Sequence, residues 1–109
     1  MISVCLATYN GEKYLEEQLA SILPQLGSDD ELIISDDGST DGTLAILGGY
    51  TAQDQRVKIF TGPGQGVIAN FEFAVNQSQG EYIFLADQDD VWLPEKVQTT
   101  LDFFKCIRK

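Results

Sequence analysis

Residues 80–94 read GEYIFLADQDDVWLP, and a short apolar strand, Tyr82 to Ala86, runs straight into three carboxylates, Asp87, Asp89 and Asp90. Like charges this close repel, so either a carboxyl pKa rises or a counter-ion binds. Carboxylate oxygens suit a hard divalent cation such as Mg²⁺, Mn²⁺ or Ca²⁺. The expectation is that this turn holds a metal, the metal holds a diphosphate, and the rest of the chain builds a nucleotide pocket beside it.

Outward from this turn the same alternation of apolar run and polar loop repeats. Ile2 to Ala7 reads as a buried strand, followed by the polar turn Thr8-Tyr9-Asn10-Gly11. Glu12 to Leu23 has helical spacing, with Tyr14, Leu15, Leu19, Ile22 and Leu23 on one face and Glu16, Glu17 and Gln18 on the other. Asn10 or Thr8 is the expected cap, and Pro24 and Gly27 the stop. Glu31 to Ser35 is a second strand that ends in the loop Asp36-Asp37-Gly38-Ser39-Thr40-Asp41-Gly42, where Ser39, Thr40 or Asp41 can cap the next helix. That helix carries Leu44, Ile46, Leu47 and Tyr50 on its apolar side. Arg56 to Thr61 is a third strand, Gly62 to Gly66 a glycine-rich turn, and Val67 to Asn76 a helix with Val67, Ile68, Phe71, Ala74 and Val75 inward. After the acidic turn, Pro94 is expected to open a last helix.

The order β-α-β-α-β-α-β-α over residues 1–109 predicts one α/β domain, a mostly parallel sheet flanked by helices on both faces. Ligands bind such sheets beyond the carboxyl ends of the strands, where the strand order switches. Three polar clusters fall at strand ends: Thr8-Tyr9-Asn10, Asp36-Asp37-Gly38-Ser39 and Asp87-Gln88-Asp89-Asp90.

Composition narrows the classes further. Seventeen acids against seven bases give a formal charge of −10, which argues against nucleic acid or an anionic membrane surface as partner. With no histidine, a Ser-His-Asp triad, a Cys-His pair and His-ligated zinc are excluded within this chain. Cys5 and Cys106 show neither metal-site nor disulfide spacing and read as free thiols in a reducing cytosol. No run approaches the roughly 20 apolar residues of a membrane span.

Four stretches, VCLATYNGEKYLEEQLASIL, ELIISDDGSTDGT, GVIANFEFAV and GEYIFLADQDDVWLPEKV, resemble the family 2 glycosyltransferases of the GT-A fold, in that family's order and spacing. The last stretch is most similar to a bacterial subgroup associated with rhamnosyl and related transfers to surface polysaccharides. The resemblance implies a Rossmann-like GT-A nucleotide-binding half. Its donor would be a UDP- or dTDP-sugar with Mn²⁺ or Mg²⁺ on the diphosphate, its acceptor a saccharide or lipid-linked molecule. Tyr9 matches the residue whose ring packs near the base, Ala7, Thr8 and Asn10 line the same pocket, and Asp37 matches the residue that hydrogen-bonds the base. Asp87-Gln88-Asp89 matches the Asp-x-Asp element, with Asp89 the direct metal ligand and Asp87 nearer the ribose or sugar and a second candidate ligand. Glu12, Asp36 and Gln88 complete the expected nucleotide-binding set.

Two departures stand out. The glycine-rich turn here is Gly64-Gln65-Gly66 with Ala69 where the family commonly has an arginine. The chain also stops one helix after the metal turn, so it looks like the nucleotide-binding half of a transferase, either truncated or a genuinely short relative, without the acceptor half that carries the catalytic carboxylate. Alone it is expected to be weakly active or inactive. The expected location is cytoplasmic, with the full-length protein peripheral at the inner membrane face.

Sugar transfer breaks the anomeric C–O bond and leaves negative charge on the diphosphate, which a metal stabilises. An inverting enzyme also needs a carboxylate to deprotonate the acceptor. No base is assigned: Asp90 is expected beside the metal rather than on it, and Asp41 as a helix cap. Trp92 is expected in the core. A receiver-like signalling domain would want an aspartate at the third strand's end, where this chain has Phe60-Thr61-Gly62. A nucleotidyltransferase would want a basic, glycine-rich loop after the first strand, where this chain has Thr8-Tyr9-Asn10-Gly11. A non-catalytic nucleotide-binding module is the remaining rival, and an exposed sheet edge would favour homo-oligomers.

Overall fold

The computed structural model describes residues 1–87 and 91–107. Strands and helices alternate as β1 (Ile2–Thr8), α1 (Glu12–Ile22), β2 (Glu31–Asp36), α2 (Thr43–Gln53), β3 (Val57–Thr61), α3 (Val67–Gln77), β4 (Tyr82–Ala86) and α4 (Lys96–Ile107). The strands form one parallel sheet in the order β3-β2-β1-β4. The chain steps from β1 through β2 to β3 on one side, then returns to place β4 on the other. The switch in strand order therefore lies between β1 and β4, where a crevice opens at the strand C-termini.

Every residue of β1 and β2 is buried, as continuous apolar runs in the middle of a parallel sheet should be. Alternation sends Val4, Leu6, Leu32, Ile34, Val57 and Phe84 to one face, against Leu15, Leu19 and Ile22 of α1, Leu47 of α2 and Val97 of α4. Trp92 joins that core at 3% exposure, its ring centroid 6.0 Å from that of Phe84. The opposite face is thinner: Cys5 and Ile33 meet Ala74 of α3, with Phe60 and Val75 beside them. At the lower end of the sheet the buried Glu31 carboxylate accepts from Ser3 Oγ at 2.6 Å, Gln79 N at 2.7 Å and Lys58 Nζ at 2.9 Å, tying β1, β2, β3 and the turn before β4 together.

α1 ends at Ile22, just before Pro24 as expected, and a single 3-10 turn, Leu23–Gln25, follows it. Several other local expectations are corrected. Pro94 precedes α4, which begins at Lys96 after Glu95 turns left-handed at φ 67°. Gly11, not Asn10 or Thr8, stands at the N-cap of α1, because both side chains are used elsewhere: Thr8 Oγ1 donates to Asp36, and Asn10 Oδ1 accepts from Thr40 N. Leu44, Val67 and Ile68 face outward, whereas Asn70 and Gln18 are buried. α3 lies over β1 and β2 and turns Asn70 and Ala74 to the sheet, so its first-turn apolar residues point past it.

Candidate functional site

The site grows from the polar residues that follow β1, β2 and β4. Thr8, last in β1, donates through Oγ1 to Asp36 Oδ1 at 2.7 Å, while Asp37 N donates to Thr8 O at 2.9 Å. The Asp36 carboxylate is 2% exposed and also accepts from Ser39 Oγ (2.6 Å), Ser39 N (2.9 Å) and Gly38 N (3.2 Å). Its acceptor capacity is spent on holding the loop, where Gly38 takes φ 86°. This leaves Asp37 to face the crevice, where its Oδ1 accepts from Gly64 N at 2.6 Å and links the loop after β2 to the loop after β3.

A second set of bonds joins the loop after β1 to the start of α2. Asn10 N donates to Ser39 Oγ (2.9 Å), Gly11 N to Thr43 Oγ1 (2.9 Å) and Gly42 N to Glu12 Oε2 (2.9 Å). Asp41 accepts from Thr43 N (2.9 Å) and Glu12 N (3.3 Å), so it serves both helix N-termini as a cap. The hydrogen bond with the Thr43 side chain and these N–H groups hold its carboxyl below the usual range. Under the crevice, Ser35 Oγ donates to Asn70 Oδ1 and Asn70 Nδ2 returns a bond to Ser35 O at 2.9 Å. Gly62 lies so close that a Cβ there would stand 2.3 Å from Asn70 Oδ1 and 2.9 Å from Asp37 Oδ1.

These loops enclose a cavity of about 400 Å³, in the range of small-molecule sites. Ala7 and Thr8 line it from the end of β1 and Tyr9 from just beyond, Asp37 from just after β2, Val67, Asn70 and Phe71 from α3, and Asp87 from just after β4. The Tyr9 ring, 55% exposed, and the apolar Val67 and Phe71 offer flat and greasy contact. Two carboxylates offer acceptors for N–H or O–H groups. A planar heterocycle with a donor N–H, carrying a hydroxylated or metal-bound tail, matches that chemistry.

Of the residues expected from sequence, Ala7, Thr8, Tyr9, Asp37 and Asp87 meet at this cavity. Asn10, Glu12 and Asp36 do not line it and instead fasten its loops together. Gln88, Asp89 and Asp90 lie outside the described residues. Among the described residues no three metal-ligating side chains cluster. Asp87 is the described member of the acidic turn, and its hard oxygens fit Mg²⁺ or Mn²⁺. Asn70 was not expected at the site; its one signal is a polar residue four before Ala74 on an otherwise apolar stripe. Cys5 takes no part: burial pushes its thiol up to about 11, where it stays protonated. No helix among the described residues is long and apolar enough to cross a membrane.

The family model for glycosyl transferase family 2 matches residues 3–108. Among curated relatives, the chain is 35% identical over 104 residues to the putative teichuronic acid biosynthesis glycosyltransferase TuaG of Bacillus subtilis, covering 94% of this chain and 41% of TuaG. It is 36% identical over 104 residues to the dTDP-rhamnosyl transferase RfbG of Shigella flexneri, covering 89% and 36%. Among solved structures, S. aureus TarS 1–349 in complex with UDP-GlcNAc superposes with a TM-score of 0.78 at 31% identity, covering 95% of this chain and 31% of that one. The mannosyltransferase PcManGT from Pyrobaculum calidifontis, in complex with GDP-Man and Mn²⁺, shares the fold with a TM-score of 0.84 at 21% identity, covering 94% and 32%. The chain thus spans about two fifths or less of the length of these proteins.

Proposed function

Because the chain belongs to glycosyl transferase family 2, we propose that it supplies the donor-binding half of a metal-dependent glycosyltransferase that uses a UDP- or dTDP-sugar. The observation that carries this reading is the cavity at the switch point, where Tyr9, Asp37 and Asp87 converge from three strand ends. In it Tyr9 packs against the base and Asp37 accepts the base N–H. Ala7 and Thr8 form the wall beneath, and Asp87 faces the ribose or sugar. Asp87 and Asp89 are the residues that would hold Mn²⁺ or Mg²⁺. When bound, the metal supplies Lewis-acid stabilisation of the diphosphate leaving group. The chain's own residues bind and orient the donor; none is assigned as the base that activates the acceptor, and the isolated chain is expected to transfer sugar weakly or not at all.

The proposed acceptor is a saccharide or lipid-linked molecule in cell-surface polysaccharide synthesis, which the likeness to TuaG, a putative teichuronic acid biosynthesis glycosyltransferase, supports, and the likeness to the dTDP-rhamnosyl transferase RfbG supports dTDP-rhamnose as one candidate donor. The proposed setting is the cytoplasm, with the whole enzyme peripheral at the inner membrane face. The deciding experiment is calorimetric titration of UDP and dTDP, with and without Mn²⁺, into wild type, Asp37→Asn and Asp89→Asn. Metal-dependent binding to wild type is expected. Asp89→Asn should remove the metal dependence, and Asp37→Asn should weaken binding whether or not metal is present. A folded wild type that binds neither nucleotide under any of these conditions would sink the proposal.

A further inference from the structure

Gln18 is fully buried on the core face of α1, between Leu15 and Leu19 and beside Ile22. A leucine or methionine would fill that place at no polar cost, whereas a buried amide is unfavourable unless its hydrogen bonds are made. Gln18 Nε2 donates to the backbone carbonyl of Asp87, the residue that follows β4. Gln18 Oε1 has no partner among the described residues, so the amide is held at this cost for the bond it does make.

Two further polar side chains continue the same stripe at helical spacing. Ser21 Oγ accepts from Trp92 N at 2.9 Å while donating back to Gln18 O at 2.6 Å. Gln25 Nε2 donates to Leu93 O and its Oε1 accepts from Val97 N, both at 2.9 Å. All of these contacts to the chain after β4 go to its backbone. The side chains therefore hold its path and are indifferent to which residues occupy it. Among its described residues Pro94 has no N–H to offer, and Lys96 N reaches Leu93 O at a long 3.2 Å.

We propose that Gln18, Ser21 and Gln25 are positioning residues: α1 grips the connection between β4 and α4 at Asp87 and again from Trp92 to Val97, and so sets the Asp87 carboxylate at the cavity. The acidic connection carries mutually repelling charges that favour separation, and an external clamp on the backbone opposes that without neutralising the carboxylates a metal would need. The stripe reaches the site from behind, through the core, and meets the cavity lining at the Asp87 backbone.

The ligand arm of the test rests on the donor-site reading; the exchange arm does not. The variant is Gln18→Met, which keeps the bulk and removes the amide. In the ligand-free chain, hydrogen exchange at the Trp92 amide, which Gln18 does not touch, should quicken about tenfold while the amides of β1 and β2 keep their rates. In calorimetry, the ratio of UDP affinities with and without Mn²⁺ should fall about tenfold, the low end of what displaced supports of metal ligands cost, with the metal-free affinity within about twofold of wild type. A merely structural role would lower both affinities together and quicken exchange across the whole sheet. Unchanged exchange at Trp92 overturns the proposal. So does an unchanged metal dependence in a wild type that shows one. A wild type without metal-dependent UDP binding refutes the donor-site reading instead, and the exchange arm still decides the role of Gln18.

Discussion

Gly62→Ala tests how tightly the floor of the cavity is built. The new methyl would begin 2.3 Å from Asn70 Oδ1, 2.9 Å from Asp37 Oδ1 and 3.0 Å from Ser35 Oγ. An ordinary contact needs about 1 Å more at the first of these, and the side chain asked to move is 2% exposed and bonded at both ends to Ser35. Displacing it forfeits two buried hydrogen bonds, at about 1 kcal/mol each, and leaves polar atoms unpaired at about 1 kcal/mol or more. The expected loss is about 3 kcal/mol. Asn70→Ala forfeits the same two bonds and should cost about 2 kcal/mol, but it also removes the shortest of the methyl's three contacts and frees Ser35 Oγ to turn away. The double variant should therefore cost only about 2 to 3 kcal/mol, against a sum of about 5, a coupling of about 2 kcal/mol. Urea unfolding of the four proteins, followed by Trp92 fluorescence, measures it. Additive losses would show that the methyl is accommodated by backbone movement and that Asn70 does not fix the floor.

Other outcomes follow from single side chains. Burial pushes the Glu31 carboxyl up, but bonds from Ser3, Gln79 N and Lys58 outweigh it, so its pKa lies below the ordinary 4.5. A carboxyl depressed in the folded state stabilises above that value and loses its contribution as pH falls through the folded one. Wild type should therefore exceed Glu31→Gln by about 2 kcal/mol at pH 7 in urea unfolding, most of it from the buried Ser3 and Gln79 bonds since Lys58 is half-exposed, and the gap should shrink below pH 4.5. A gap independent of pH would refute the assignment. Asp36→Ala should cost about 2 to 4 kcal/mol by orphaning Thr8 Oγ1 and the Ser39 donors, and should weaken UDP binding through Asp37, whereas Asp36→Asn should cost less; equal losses in calorimetry and melting would count against this scaffold role. On edge strand β4, Ile83 and Leu85 are 44% and 56% exposed, and the strand Tyr82–Ala86 carries no charge. Sedimentation should show concentration-dependent self-association that Leu85→Lys reduces, and a monomer at all concentrations in wild type would refute it.

What the sequence made legible follows strand ends, and what it hid depends on helix rotation. Tyr9 and Asp87 were placed because each directly follows a strand, and Asp37 follows the last residue of another; a parallel sheet delivers strand ends to one edge whatever the side-chain detail. A helix gives no such guarantee. On α3 the apolar residues Val67, Ile68, Phe71, Ala74 and Val75 allow more than one rotation, and the choice between them is made by Asn70, which finds its partners on Ser35 only when turned to the sheet. That choice leaves Val67 and Ile68 outward at 66% and 77% exposure. The same reasoning explains Gln18, which pattern alone assigns to the polar face with Glu16 and Glu17. Its partner is a backbone carbonyl 69 residues later, and a carbonyl has no signature in sequence. Gln18, which the pattern assigns to the polar face, and Asn70, which the apolar stripe leaves unassigned, are thus both bonded across the fold; Asn70 lines the cavity floor and Gln18 lies behind the end of β4. The departures from the hydrophobic pattern mark the places where burial was given up to hold the site's loops in position.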